Sequence, residues 1–262
     1  MTSTRIYLDN NATTQPLPSV TEAVMLALET LWGNPSSIHR IGQEARHKMD
    51  LAREQVADLI GAKPAEITFT SGGTEAANLA IQTACATRPN QKVLVTSQIE
   101  HAAVGEMMDR LAEDGMEVLR LRNDNNGVFC LEHLQEILEE RAQEIAIVSL
   151  MWCNNETGVI EPIEKASALC NKHDVLMHSD GTQWVAKMPV DVKAVNVDLL
   201  TFAGHKFHGP KGIGALYTRK GLSVSPLVTG GPQERGRRGG TENVPSIMGF
   251  GVASKEAIAW LT

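Results

Sequence analysis

Lys206 is the residue in this sequence best suited to covalent chemistry. It stands in the segment Gly204-His205-Lys206-Phe207-His208, which follows a short apolar run at residues 198–202. A lysine amine attacks a carbonyl carbon and forms a Schiff base when neighbouring groups orient it. Most lysines are solvated surface residues, and Lys211 fits that description. Lys206 differs because other segments could supply an anion site, a carboxylate and imidazoles.

The segment Ser71-Gly72-Gly73-Thr74-Glu75 has the composition of an anion-binding turn. It lies between a predicted strand and a predicted helix. Glycines let backbone N–H groups approach an anion, the helix N-terminus adds partial positive charge, and we expect Thr74 at a capping position. The same residues would also make an ordinary turn and helix cap. The segment alone therefore leaves both interpretations open.

Further polar residues follow other predicted strands. Asp180 follows residues 175–178, and a buried carboxylate there needs a cation or hydrogen-bond donors. A protonated pyridine nitrogen would be such a partner, and a helix N-cap is the alternative. His101 follows residues 92–96, and Asn155 follows residues 145–150. A single histidine is more often structural, but the joint occurrence of these residues favours a site.

Short apolar runs alternate with amphipathic patterns, which predicts crossover units and a mainly parallel sheet covered on both faces. Ligands of such sheets lie outside the carboxyl ends of the strands, where these polar residues fall. A glycine-rich segment at 230–240 predicts a functional loop. A last helical pattern begins near Val252 and ends without a stop signal; either that helix packs within the domain or the chain is a fragment, which we favour. The predicted strands are residues 66–70, 92–96, 117–121, 145–150, 175–178, 198–202 and 214–218, and the predicted helices are residues 19–31, 43–60, 74–86, 103–114, 131–141 and 163–173.

Composition limits the function classes. The 262 residues carry a formal net charge of -7, which argues against nucleic acid as a partner. No apolar run approaches the ~18 residues of a membrane helix, so we expect a cytoplasmic protein that does not enter a membrane. The four cysteines form no C-x-x-C pair, so neither a zinc knuckle nor a redox dithiol is expected.

Eight motifs, in order along essentially the whole chain, resemble the NifS-like cysteine desulfurases of the class V aminotransferase family. The resemblance implies the large domain of an aspartate-aminotransferase-like, fold type I, pyridoxal 5′-phosphate (PLP) enzyme with a mainly parallel seven-stranded sheet. It places this α/β PLP-binding domain at residues 15–262, after an extended segment 1–14 on the small-domain side, with the C-terminal small domain absent. The motifs are Tyr7-Leu8-Asp9-Asn10-Asn11-Ala12-Thr13-Thr14, Gly33-Asn34-Pro35-Ser36-Ser37-Ile38-His39, residues 70–75, Glu100-His101, Asn154-Asn155-Glu156-Thr157-Gly158, and residues 180–183, 204–214 and 230–243.

The resemblance also implies site roles. Lys206 would form the Schiff base with PLP and later move the substrate α-proton. Asp180 would pair with the pyridine nitrogen, and His101 would stack on the ring and assist proton transfer. The remaining contacts to the ring oxygen, the substrate side and the phosphate would come from Asn155, Gln183, Gly73, Thr74 and His205.

The resemblance further implies the activity and the partners. The whole enzyme would convert L-cysteine to L-alanine and leave an enzyme persulfide, which an iron–sulfur scaffold or another sulfur acceptor would take up. It would be a homodimer in which Thr241 reaches the phosphate of the partner subunit's cofactor. Ala203 stands where the family usually has serine. The family's sulfur-accepting cysteine and carboxylate-binding arginine would lie beyond residue 262, so we expect no turnover by this chain alone.

Three alternatives stay open at this point. Another class V activity, such as selenocysteine lyase or a transaminase, is the near alternative, although the arginine- and glycine-rich segment favours a desulfurase. A non-catalytic PLP-binding or dimerisation module is the second. The third is a metal-dependent hydrolase, which leaves Lys206 and the anion-binding turn unexplained. Its ligands would be His101, His178, Asp180, His205 and His208.

Overall fold

One mainly parallel sheet organises the computed structural model, which describes residues 6–261. The strands stand in the order β1-β7-β6-β5-β4-β2-β3. Strand β7 pairs antiparallel with β1 and β6, and the other pairings are parallel. The strands are β1 Ile67–Thr70, β2 Val93–Ser97, β3 Glu117–Leu121, β4 Ile145–Met151, β5 Met177–Asp180, β6 Leu199–Ala203 and β7 Gly214–Thr218.

Helices cover both faces of this sheet. Along β2, Val93 and Val95 face the core that lies under α1, α2, α5, α6 and α8, whereas Leu94 faces the core under α3 and α4. Every residue of β4 is buried for the same reason, so six of its seven residues are apolar, Ser149 being the exception, and the sequence does not alternate. The helices are α1 Pro18–Thr30, α2 Arg40–Leu59, α3 Gly73–Thr87, α4 Ala102–Glu113, α5 Leu131–Arg141, α6 Ile163–Lys172, α7 Val192–Val195 and α8 Val244–Leu261.

The predicted strands lie within two residues of the observed ones. Strand β5 ends at Asp180, so this carboxylate belongs to the last strand residue and not to the following turn. The expectation that Thr74 caps α3 is wrong. The N-cap is Gly72, and the Glu75 carboxylate accepts the Ser71 N–H at 2.8 Å instead. Because the chain turns at the glycines, Thr74 already lies inside the helix.

The last helix packs within the domain. Helix α8 begins at Val244, well before the predicted start near residue 252, and lies against α1 and α2. The indole Nε1 of Trp260 donates to the Ala186 carbonyl at 2.9 Å. At the other end, residues 6–14 form neither helix nor strand, while residues 1–5 of the expected N-terminal segment, and residue 262, lie outside the described residues. No helix within residues 6–261 has the length and apolar composition to cross a bilayer.

Candidate active site

A cavity of about 260 Å³ opens at the carboxyl ends of the central strands. Its wall includes most of the site residues predicted from the sequence, and also Ala12, Met151, Cys153 and Ala203. Thr241 lies elsewhere, in a cavity of about 220 Å³ that Ser71, Glu234 and Arg238 also line. Eight of the nine predicted site residues line the first cavity: Gly73, Thr74, His101, Asn155, Asp180, Gln183, His205 and Lys206.

Lys206 enters this cavity from the turn that follows β6. Its Nζ donates to the carbonyl oxygens of Asn11 and Ala12. Burial lowers the pKa of the Lys206 amine, and the negative charge of Asp180 opposes that shift in part. Because the neutral amine is the nucleophile, a lowered pKa suits Lys206 to attack a carbonyl carbon.

Asp180 presents a buried carboxylate to the same cavity. The residue is 7% exposed, and its Oδ1 accepts the Thr182 N–H at 2.9 Å. Among residues 6–261, no arginine, lysine or histidine forms an ion pair with it. A buried carboxylate in this setting can stabilise a cationic ligand group.

His101 caps helix α4 and also lines the cavity. Its Nδ1 accepts the Ala103 N–H at 3.0 Å. The neutral ring therefore carries its proton on Nε2, an assignment that follows from the hydrogen-bond network. The other ring edge is thus left as a donor that can contact a bound ligand.

The first turn of α3 and His205 line the cavity together and make a candidate anion site. A Cβ placed on Gly73 would lie 3.2 Å from Thr182 Oγ1 and 3.5 Å from Ala203 Cβ, so glycine here leaves no side chain between the helix backbone and these two cavity residues. His205 Nδ1 lies 3.1 Å from Thr13 Oγ1. The first N–H groups of a helix have no partner within the helix and favour an anion such as phosphate.

Asn11 connects several parts of the cavity, a role that we did not predict. Its carbonyl accepts hydrogen bonds from Lys206 and, at 2.8 Å, from Gln183 Nε2, and its side chain donates to the Asn155 carbonyl at 3.2 Å. Lys187 Nζ donates to Gln183 Oε1 on the opposite side of that amide. Contacts through a backbone carbonyl leave no signature in residue type, so sequence patterns did not reveal Asn11.

Comparisons with known proteins decide the family. A family model described as "Aminotransferase class-V" matches residues 6–261. The chain belongs to the class V aminotransferase family. The chain is 44% identical over 256 residues to a cysteine desulfurase of Cereibacter sphaeroides, covering 97% of this chain and 65% of that protein. It is 42% identical over 257 residues to the cysteine desulfurase NifS of Azotobacter vinelandii, covering 98% and 63%.

Solved structures agree with this class V assignment. A NifS-like protein superposes with a TM-score of 0.94 at 41% identity, covering 98% of this chain and 71% of that one. A structure titled "SspA in complex with cysteine" gives 0.91 at 36% identity, covering 96% and 72%. The predicted fold type I architecture is therefore confirmed. This chain spans just under two thirds of the length of the two curated desulfurases above.

The family is PLP-dependent, and the cavity suits that cofactor. PLP has an aldehyde, a basic pyridine nitrogen and a phosphate. The class V chain presents a lysine of lowered pKa, a buried carboxylate without an ion-pair partner among the described residues, and a helix N-terminus beginning at glycine. Each group of PLP thus has a chemically matched counterpart.

Two other chemistries find less support in the site. Cys153 lines the cavity, but burial raises the pKa of its thiol, which disfavours the nucleophilic thiolate. In the described part of the chain, no three His, Cys, Asp or Glu side chains come together to hold a metal ion. His178, a ligand of the metal alternative, is instead buried with Nδ1 2.7 Å from Ser149 Oγ and Nε2 3.2 Å from Thr201 Oγ1.

Proposed function

We propose that this chain binds PLP covalently through Lys206 and forms the cofactor-binding part of a cysteine desulfurase. The observation that carries the proposal is the single cavity that Lys206, Asp180, His101 and the start of α3 line together. These groups match the aldehyde, the pyridine nitrogen, the ring face and the phosphate of PLP.

When bound, PLP supplies the electron sink for breaking bonds at the amino acid's Cα. The Lys206 amine would hold the cofactor covalently and later move the substrate α-proton. The Asp180 carboxylate would keep the pyridine nitrogen protonated. His101 would cover the ring with Nε2 as a donor, and Asn155 and Gln183 would orient the ring oxygen and the substrate side.

The phosphate is assigned to the anion site. We propose that Gly73 and Thr74 donate backbone N–H groups to it and that His205 adds a ring contact. Thr241 lies in the separate cavity, and we propose that it serves the cofactor of a second subunit in a homodimer. The Glu75 carboxylate accepts a hydrogen bond from Arg238 Nε at 2.9 Å. This contact anchors the loop that carries Thr241 to the first turn of α3.

The activity proposed for the whole protein is conversion of L-cysteine to L-alanine. The similarity to proteins named cysteine desulfurase and to SspA, whose structure contains cysteine, supports this substrate. We assign the sulfur-accepting role to none of the four cysteines in these 262 residues. Burial raises the pKa of Cys85, Cys153 and Cys170. Cys130 does not line the cavity, and its Sγ accepts the His133 N–H at 3.4 Å as the N-cap of α5. An iron–sulfur scaffold or a related protein would receive the sulfur, and we place the protein in the cytoplasm.

Addition of L-cysteine to the PLP-loaded chain tests the proposal. We expect a change in the visible spectrum with L-cysteine and a much smaller change with D-cysteine, because Lys206 would reach the α-proton of only one enantiomer in the proposed arrangement. Lys206→Ala should abolish the covalent spectrum, whereas the matched variant Lys187→Ala should keep it. A chain that binds PLP but does not respond to L-cysteine would be a non-catalytic PLP-binding module, and one that binds no PLP would refute the proposal altogether.

A further inference from the structure

Glu100 lies directly behind the candidate site, and its carboxyl group joins two elements of it. Glu100 Oε1 accepts the Ser97 hydroxyl at 2.6 Å and the Met151 N–H at 3.0 Å. One residue earlier, the Ile99 carbonyl accepts a hydrogen bond from Asn154 Nδ2 at 3.0 Å. The loop between β2 and α4 is therefore held against the end of β4 by two hydrogen bonds, which Met151 and Asn154 donate to acceptors on the loop.

The two elements that Glu100 joins carry the two groups expected to face the PLP ring. Glu100 directly precedes His101, the N-cap of α4. Met151 pairs with Asp180 in the parallel β4–β5 register, and the Trp152 N–H donates to the Asp180 carbonyl at 2.9 Å. A shift of the Glu100 carboxyl group would therefore be passed to His101 along the chain and to Asp180 across the sheet.

The surroundings of this carboxyl group favour its neutral form. Glu100 is partly exposed as a residue, but its Oε2 is shielded from solvent and makes no hydrogen bond to any described residue. Burial raises the pKa of Glu100 to about 8, the negative charges of Asp180 on β5 and Glu161 before α6 add to the shift, and the hydrogen bonds from Ser97 and Met151 oppose it. No cation within residues 6–261 forms an ion pair with Glu100.

We propose that Glu100 is a positioning residue of the cofactor site. As an uncharged carboxylic acid it fixes His101 and the Met151–Asp180 pair, and it leaves Asp180 as the one carboxylate among the described residues that line the cavity. A second carboxylate so close to Asp180 would be buried beside a like charge, which disfavours the ionised form of each group. The inference rests on the proposed function in one respect, namely that PLP occupies the cavity.

Three substitutions at Glu100 separate position from charge. Glu100→Gln keeps the length and the acceptor oxygen without a charge, Glu100→Asp keeps the acid but is shorter by one methylene, and Glu100→Ala removes both. Glu161→Ala is the matched control, because Glu161 is a buried acid that accepts one backbone N–H, from Phe129 at 3.0 Å, and has one oxygen without a hydrogen bond among the described residues. Glu161 does not line the cavity.

The readouts are the PLP dissociation constant, the circular dichroism of bound PLP and the melting temperature of the PLP-free chain. We expect Glu100→Gln to bind PLP within about twofold of wild type, and Glu100→Ala to bind at least about tenfold more weakly with a reduced dichroic signal, since Ser97 and Met151 lose their acceptor. Glu161→Ala should lower the melting temperature and leave both PLP readouts unchanged. If Glu100→Ala does not fold, Ser97→Ala should give the same loss of dichroism to a smaller extent.

Two results would overturn the inference. One is a Glu100→Ala protein with the dissociation constant and dichroism of wild type. The other is a Glu100→Gln protein as defective as Glu100→Ala while Glu100→Asp is normal, because an ionised carboxylate would then be required. A wild-type chain that binds no PLP would instead refute the proposed function, so the two failures are distinguishable.

Discussion

Replacing Ala203 with serine tests the phosphate end of the proposed site by a gain of affinity. Ala203 is the last residue of β6, is 1% exposed and lines the cavity. Its Cβ would lie 3.5 Å from a Cβ placed on Gly73, the first residue of α3. A hydroxyl on residue 203 would therefore stand beside the backbone that is proposed to bind the PLP phosphate.

The size of the gain follows from one added hydrogen bond. A hydrogen bond to a charged acceptor contributes about 1.5–3 kcal/mol, which corresponds to roughly 10- to 150-fold in a dissociation constant. The serine hydroxyl must also give up its hydrogen bonds to water when PLP binds. We therefore expect the lower end of this range, about tenfold tighter binding of PLP.

The measurement is made in a Lys206→Ala background, so that PLP binds without a covalent bond and reaches equilibrium. PLP is titrated while tryptophan fluorescence is followed, because Trp152 and Trp184 stack 5.2 Å apart directly behind the cavity residues Met151 and Gln183. Pyridoxal, which lacks the phosphate, is the control ligand, and Ala203→Cys is the control for side-chain size.

The phosphate assignment predicts that the gain appears with PLP and is absent with pyridoxal. Equal tightening of both ligands would show that the hydroxyl acts on the ring and not on the phosphate. Unchanged PLP affinity in a folded Ala203→Ser protein would mean that the phosphate does not bind between Gly73 and Ala203.

Three further predictions concern other parts of the chain. Cys153→Ala should leave PLP affinity and the response to L-cysteine within about twofold of wild type; turnover that disappears in this variant would make Cys153 the nucleophile. Arg53 pairs with Glu234 at 2.6 Å, and the Glu234 side chain is only 2% exposed. Arg53→Met would leave this carboxylate buried without its partner, so urea unfolding should show a loss of about 3–5 kcal/mol in the free energy of unfolding. A loss below about 1 kcal/mol would contradict this. Burial lowers the pKa of His178 from 6.5 to about 4, so the unfolded chain binds more protons between these values and stability should fall as pH falls through that window; a His178→Gln protein with the same pH dependence would count against it.

Strand ends were the part of the site that sequence patterns located well. Asp180 and Lys206 each come shortly after a predicted strand that is largely apolar, residues 175–178 and 198–202, and parallel strands bring such ends to one edge of a sheet. The apolar runs are distinctive because both faces of the sheet are covered, as the complete burial of β4 illustrates. The architecture, and eight of the fourteen residues that line the cavity, could therefore be predicted before the structure was described.

What sequence patterns missed depends on contacts between distant or backbone groups. Arg53 and Glu234 are 181 positions apart, and nothing in either local sequence indicates a buried pair. Asn11 acts largely through its carbonyl oxygen, which every residue has. Glu100 belonged to a recognisable motif, but its neutral state follows from burial and from the charge of Asp180, and both depend on the tertiary structure.

Borohydride reduction of the PLP-loaded chain, followed by peptide mass spectrometry, tests the central claim most directly. Reduction fixes PLP to whichever amine it occupies, so the labelled lysine identifies the covalent site. We expect one reduced PLP group per chain on the peptide that contains Lys206, and none in Lys206→Ala. A label on Lys187 or Lys211 in the wild-type chain, or an equal label in the Lys206→Ala variant, would contradict the assignment.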